Sequence, residues 1–272
     1  MQSSFITYRS SSIHYVHTTG SGQPVFCFHG YGEEGAGFSF LEVLQDQGYA
    51  LYAIDLPFHG QTEWKEGLNC EATDLLAIMQ LILQRSSSSS EKIILLGFSL
   101  GGRMALAVLQ EAPQLIDRMI LLAPDGLKVN AWYWLATQTW LGNRFFAFTM
   151  KHPYWFFALL RLLNKLRLVN TSIFKFVNYY IGDKEVRRLL YARWTTLRKL
   201  KPTIKQIKKY IKDNNIPTRL LYGRHDRIIL PVVGERFQKG IEEQCTLKVI
   251  ASGHQVLHEK HSGEILAAFG PA

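Results

Sequence analysis

The chain has 272 residues, 47% of them apolar, which is enough to bury a large core and excludes a disordered chain. Three scattered cysteines, Cys27, Cys70 and Cys245, give neither a disulfide framework nor a zinc-binding spacing, so a reducing compartment is expected. The net charge is +9, no basic start leads into an apolar leader, and the most apolar window, residues 145–163, is broken by Lys151, His152 and Arg161, a poor membrane span. The expectation is a cytoplasmic globular protein, peripheral to a membrane at most.

"FITY" and "IHYVHT" flank "RSSS" and read as an opening hairpin. "VFCFHG" (25–30) reads as a buried strand ending in glycine, "FSFLEVLQDQG" as a helix and "ALYAID" (50–55) as the next strand. A helix over 71–85, a polar loop of five serines (86–90), a strand "KIILLGF", a helix "LGGRMALAVLQEA" and a strand "DRMILLAP" follow. Continuous apolar strands alternating with helices predict an α/β fold, a mostly parallel central sheet covered by helices on both faces.

The alternation stops near Leu127. Residues 128–215 show no strand pattern, hold 18 of the 34 aromatics and carry 18 Lys and Arg against three Asp and Glu. Their last piece places Ile204, Ile207 and Ile211 on one helical face. The strand–helix pattern then resumes with "TRLLYG" (218–223), a helix near 232–239, "CTLKVI" (245–250) and a final helix from about 259. The expected organisation is a core of residues 1–127 and 216–272 with a basic helical insert of residues 128–215.

Ser99 lies in Gly97-Phe98-Ser99-Leu100-Gly101, between a strand and a helix. A serine hydroxyl is a weak nucleophile unless a base reaches it, and a sharp strand-to-helix turn is one way to expose it. The N–H of Leu100 would then face a developing oxyanion at the helix start, and a second donor is expected from the "HGYG" loop, at the N–H of Tyr31. The plainer alternative makes Ser99 the N-cap of a tight turn. A base and an orienting acid should follow the serine in the chain. Asp226, after "TRLLYG", and His254, after "CTLKVI", stand at strand ends in that order.

Competing readings bear on the same residues. Asp125 is the reserve acid. His254 and His258 have the spacing of a metal pair, but no second ligand cluster accompanies them, so no metal or cofactor is expected. His261, His225 and His59 read as surface, structural or lining residues. Gly30-x-Gly32-x-x-Gly35 matches a dinucleotide fingerprint, with Asp55 at the place of a ribose-binding acid, but Glu33 and Glu34 would lie where a pyrophosphate must approach.

With "FHGYG", "DLPFHGQT", "GFSLGG", "YGRHDRIILP" and "SGH" in this order, the sequence resembles the α/β-hydrolase superfamily over roughly residues 5–127 and 216–270. In that superfamily the "DLPGHG"-like segment is a structural turn, which accounts for Asp55, although Phe58 replaces the common glycine. The resemblance also implies that residues 128–215 form a helical cap, or lid. Ser99 separates the chain from the dehalogenase and epoxide hydrolase branches, which use aspartate there, and the lack of "HGGG" separates it from the hormone-sensitive-lipase branch.

The resulting expectation is a serine hydrolase acting on an ester or thioester with an apolar acyl part. Its triad would be Ser99, His254 and Asp226, with His29, Gly30, Phe98, Trp132 and Trp134 lining the substrate site. A carbon–carbon bond hydrolase or lyase with the same triad is the alternative, ahead of a nucleotide-dependent oxidoreductase or a non-catalytic binding protein. The basic insert fits an anionic partner, a membrane surface or an acyl carrier. No motif supports nucleic acid.

Overall fold

The computed structural model describes residues 1–88, 90–128, 131–166 and 181–270, without the side chains of residues 131 and 132. They divide into two compact units. One comprises Met1–Glu66, Cys70–Lys128 and Leu200–Ala272; the other comprises Gly67–Asn69 and Val129–Lys199.

The first unit is built on an eight-stranded sheet. Strands β1 (Gln2–Tyr8) and β2 (Ser11–His17) form the expected antiparallel hairpin, and β2 pairs antiparallel with β4 (Tyr49–Ile54). From there the sheet is parallel through β3 (Gln23–Phe28), β5 (Ile93–Phe98), β6 (Ile116–Leu122), β7 (Thr218–Gly223) and β8 (Cys245–Ile250). The spatial order is β1-β2-β4-β3-β5-β6-β7-β8. Every residue of β5 is buried, so both faces of the sheet centre are covered, as its unbroken apolar run requires. At the edge, β8 buries only its end residues, Cys245 and Ile250, and exposes Thr246 and Lys248. Helices α1 (Ala72–Arg85) and α2 (Leu100–Glu111) pack together, and α2 also packs on β3, β5 and β6.

The segment Gly35–Gln47, expected as a helix, is a run of 3₁₀ turns. Its buried residues, Gly35, Phe38, Leu41 and Leu44, recur every third position, the period of a 3₁₀ helix. Gly48, at φ +84°, ends it by returning its N–H to the carbonyls of Leu44 and Gln45.

The second unit contains α3 (Ala131–Gln138), α4 (Trp140–Lys151), α5 (Tyr154–Lys165) and α6 (Lys184–Thr196). Its own core brings Phe146 against Tyr191 and Trp194, with ring centroids 5.4 and 5.6 Å apart. Thr139 caps α4 through the Gly142 N–H (3.0 Å), and Asp183 caps α6 through the N–H groups of Glu185 and Val186.

The insert ends earlier than expected, at Lys199 rather than 215. Helix α7 (Ile204–Asp213) belongs to the first unit, where Ile207 and Ile211 are fully buried and the helix packs on α2. Helices α8 (Pro231–Gln238) and α9 (Ser262–Ala267) complete that unit. No helix among the described residues is long and apolar enough to cross a membrane.

Candidate active site

Ser99 sits at the C-terminal end of β5 with φ +48° and ψ −113°, a left-handed conformation that a serine adopts only under constraint. The constraint comes from packing. A Cβ at Gly101 would lie 1.8 Å from the carbonyl oxygen of Phe28, and one at Gly97 would lie 2.5 Å from that of Gly101. Strand, turn and helix therefore approach closer than any side chain permits. The Ser99 N–H donates to Leu122 O (2.9 Å) and its carbonyl accepts from Gly102 N (2.9 Å) and Asp125 N (2.8 Å). Ser99 occupies the N-cap position of α2, but its side chain caps nothing.

That hydroxyl instead donates to His254 Nε2 at 3.0 Å. His254 Nδ1–H donates to Asp226 Oδ2 at 2.7 Å, and a carboxylate that only accepts fixes the proton on Nδ1 and leaves Nε2 as the acceptor. Asp226 is buried, and its other oxygen accepts the N–H groups of Ile228 (2.7 Å) and Ile229 (2.9 Å). The loops after β5, β7 and β8 thus meet at one edge of the sheet, and the ring of Phe98 lies 5.5 Å from that of His254.

The competing acid is engaged elsewhere. Asp125 Oδ2 accepts from Arg103 Nε (3.0 Å) and Nη2 (2.5 Å), and its Oδ1 accepts from Gly126 N. His258 is exposed, and its Nδ1 accepts the N–H of Lys260. His261 is buried beside Ser252, with 2.9 Å between Nε2 and Oγ, and burial lowers its pKa. His225 is exposed, while His59 is buried with Nδ1 donating to Pro57 O. Among the described residues no group of three or more His, Cys, Asp or Glu is placed to hold a metal ion.

One expectation needs correction, and the dinucleotide reading set aside on sequence grounds fails in the structure as well. His29, expected to line the substrate site, is fully buried; its Nε2 accepts the Leu56 N–H (3.1 Å) and its Nδ1–H donates to Gly30 O (2.8 Å). Both nitrogens serve the backbone, so His29 shapes the loop. Asp55, the acid of the dinucleotide fingerprint, is also buried, at 1% exposure. It accepts from Gly35 N (2.6 Å), Gln61 N (2.8 Å) and His14 Nδ1 (2.7 Å), and no ribose can reach it. The neighbouring Phe58 holds φ +63°, which glycine would adopt freely and which costs a bulky residue about 1–3 kcal/mol.

The loop that follows His29 carries Gly30 and Tyr31. A Cβ on Gly30 would lie 2.9 Å from the Phe98 ring, and the ring of Tyr31 stands edge-on to His59. Glu33 has a part here that its sequence context does not point to. Its carboxylate accepts from Gly30 N (3.2 Å) and from Gln255 Nε2 (2.9 Å), joining this loop to the one that carries His254. With Glu34, Ala36, Gly37 and Leu257, these two residues line an open depression of about 440 Å³. Trp134 lies on α3 in the second unit and is half-exposed; the side chain of Trp132 lies outside the described residues.

Comparison with known proteins agrees with this architecture. The model of the family described as serine aminopeptidase, S33 (Hydrolase_4), matches residues 21–261. The hydrolase YugF of Bacillus subtilis is 24% identical over 92% of this chain and 90% of its own length. The pimeloyl-[acyl-carrier protein] methyl ester esterase of Vibrio campbellii is 32% identical over 42% of this chain and 41% of its own. Among solved structures, the thioesterase domain from the curacin biosynthetic pathway superposes with a TM-score of 0.65 at 17% identity, covering 99% of both chains. The chain is a hydrolase of the α/β-hydrolase superfamily and belongs to the family described as serine aminopeptidase, S33.

Proposed function

We propose that the protein hydrolyses a carboxylic ester or thioester with an apolar acyl part, with Ser99 as nucleophile. The observation that carries this reading is the hydrogen-bonded row from Ser99 through His254 to Asp226. Ser99 Oγ attacks the acyl carbon as its proton passes to His254 Nε2, and Asp226 steadies the imidazolium. The backbone N–H groups of Leu100 and Tyr31 are the proposed oxyanion donors, Leu100 because it opens α2, where the first N–H groups have no acceptor within the helix. Collapse of the tetrahedral intermediate hands the proton to the departing alcohol or thiol. Water then attacks the acyl-enzyme with His254 as base, releasing the acid and restoring Ser99.

The Vibrio relative, an esterase by name, supports an ester substrate. A fluorophosphonate probe should label the protein stoichiometrically, and Ser99→Ala should abolish the label. A folded wild type that takes no label would sink the nucleophile. Rates on p-nitrophenyl esters of rising acyl length test the apolar acyl part, which fails if short and long chains react alike.

A further inference from the structure

In a water-soluble helix bundle the outward stripe of each helix is polar. In α4 and α5 it is not. The exposed positions of α4 recur at helical spacing as Trp140, Leu141, Phe145 and Phe148, with Arg144 and Lys151 between them. Those of α5 include Tyr154, Leu159 and Leu162, with Arg161 and Lys165 between them. Leu141 is 72% exposed and Tyr154 84%. The opposite face of α4 is already used, by buried Thr149 and Met150 and by the packing of Phe146. Phe145 also meets Trp155 of α5, with ring centroids 5.2 Å apart, and the rest of the outward apolar stripe is additional to the unit's own core.

The charge on this stripe has one sign. No Asp or Glu occurs anywhere between Asp125 and Asp183, while seven Lys and Arg do. Large apolar groups interleaved with cations, with no acid among them, match the boundary between headgroups and acyl chains of an anionic bilayer. Trp and Tyr favour that depth. At 12 residues each, α4 and α5 reach about 18 Å, well short of a hydrocarbon core of about 30 Å, so they would lie along the surface and not cross it. An acidic carrier protein would satisfy the cations alone and would leave these rings in water.

We infer that the α4–α5 face docks the protein on anionic phospholipid membranes. This inference does not depend on the hydrolytic reading, because docking is measured without turnover. The test is sedimentation of the full chain with vesicles of phosphatidylcholine alone and with about one third phosphatidylglycerol. Binding is expected only to the anionic vesicles, weakened but not abolished by high salt, since the apolar part is not screened. The double variant Leu141→Glu/Leu162→Glu changes two exposed side chains outside the proposed catalytic machinery. It should lower the partition coefficient at least about tenfold. Its circular dichroism spectrum and thermal melt should match wild type, which shows that it is folded. Three results would overturn the inference: no binding at low salt, equal binding by the double variant, or binding of a soluble acyl carrier protein without any binding to vesicles.

Discussion

Among the described residues two serines face a histidine–aspartate pair, and their backbones set them apart. Ser3 Oγ lies 2.8 Å from His14 Nε2, and His14 Nδ1 lies 2.7 Å from Asp55 Oδ2, a row with nearly the distances found at Ser99. Ser3, however, sits within the extended strand β1, with no helix starting after it to offer free N–H groups. The Ser3 row ties β1 to β2 and to Asp55, whereas Ser99 is lifted by a strained turn onto a helix N-terminus. Excess fluorophosphonate applied to Ser99→Ala should therefore leave Ser3 unmodified in a peptide map. Labelled Ser3 would mean that the serine–histidine–aspartate row alone suffices for reactivity. The two candidate acids separate in the same way. Asp226→Asn should lower kcat by roughly three to four orders of magnitude, because the imidazole loses its fixed tautomer. Asp125→Asn should leave kcat near wild type and cost about 1–3 kcal/mol of stability, since it removes the charge partner of the buried Arg103. If the two variants exchanged these effects, Asp125 would be the acid that orients His254.

At the scale of the element, the site depends on loops holding their positions. Gln255 Nε2 reaches both Glu33 (2.9 Å) and Leu257 O (3.1 Å), so it fastens the His254 loop to the loop of the proposed Tyr31 donor. Gln255→Leu keeps the volume and removes both bonds. It should lower kcat by roughly threefold to tenfold with little change in Tm, and an unchanged kcat would make the link incidental. The same loop ends near His261, whose pKa lies below its ordinary 6.5 because of burial first, then Lys260 and His258, with Glu264 acting in the opposite sense. The folded state prefers the neutral ring, so its contribution is complete above pH 6.5 and is lost as acid protonates the unfolded chain. Thermal melts from pH 7.5 to 5 should show His261→Gln falling less steeply than wild type; parallel slopes would assign the acid sensitivity elsewhere. The strands are readable from sequence because β5, residues 25–28 of β3 and residues 119–122 of β6 are continuous apolar runs too short for helices. The 3₁₀ run at 35–47 was less so, since Phe38, Leu41 and Leu44 fit a helical pattern until their strict three-residue spacing is noticed. Glu33 signals only a charge opposed to a pyrophosphate and not its linking role, because a glutamate that accepts from a backbone N–H and a distant glutamine looks like any loop carboxylate.

At the scale of the whole molecule, α7 decides where charge and stability reside. Its amphipathic sequence reads the same whichever body it packs on, which is why composition alone ran the basic insert on to 215. With α7 and its lysines in the first unit, Gly67–Asn69 and Val129–Lys199 carry 12 Lys and Arg against two Asp and Glu, a net of +10, and the rest of the chain is left at −1. The basic character is thereby concentrated in the unit that presents the apolar face of α4 and α5. The division also sorts the natural reporters. Five of the six tryptophans (132, 134, 140, 155 and 194) belong to the second unit, with Trp64 in the first, while the labelling expected at Ser99 would report the first unit. Ile207→Ala removes a fully buried side chain and should cost about 2–4 kcal/mol. The temperature at which labelling is lost should then fall by about 2–4 °C for each kcal/mol, ahead of any change in tryptophan emission. Leu190→Ala, in the core of the second unit, should shift the emission first. If Ile207→Ala moved the emission and spared the labelling, α7 would answer to the insert energetically, and the boundary would return to 215.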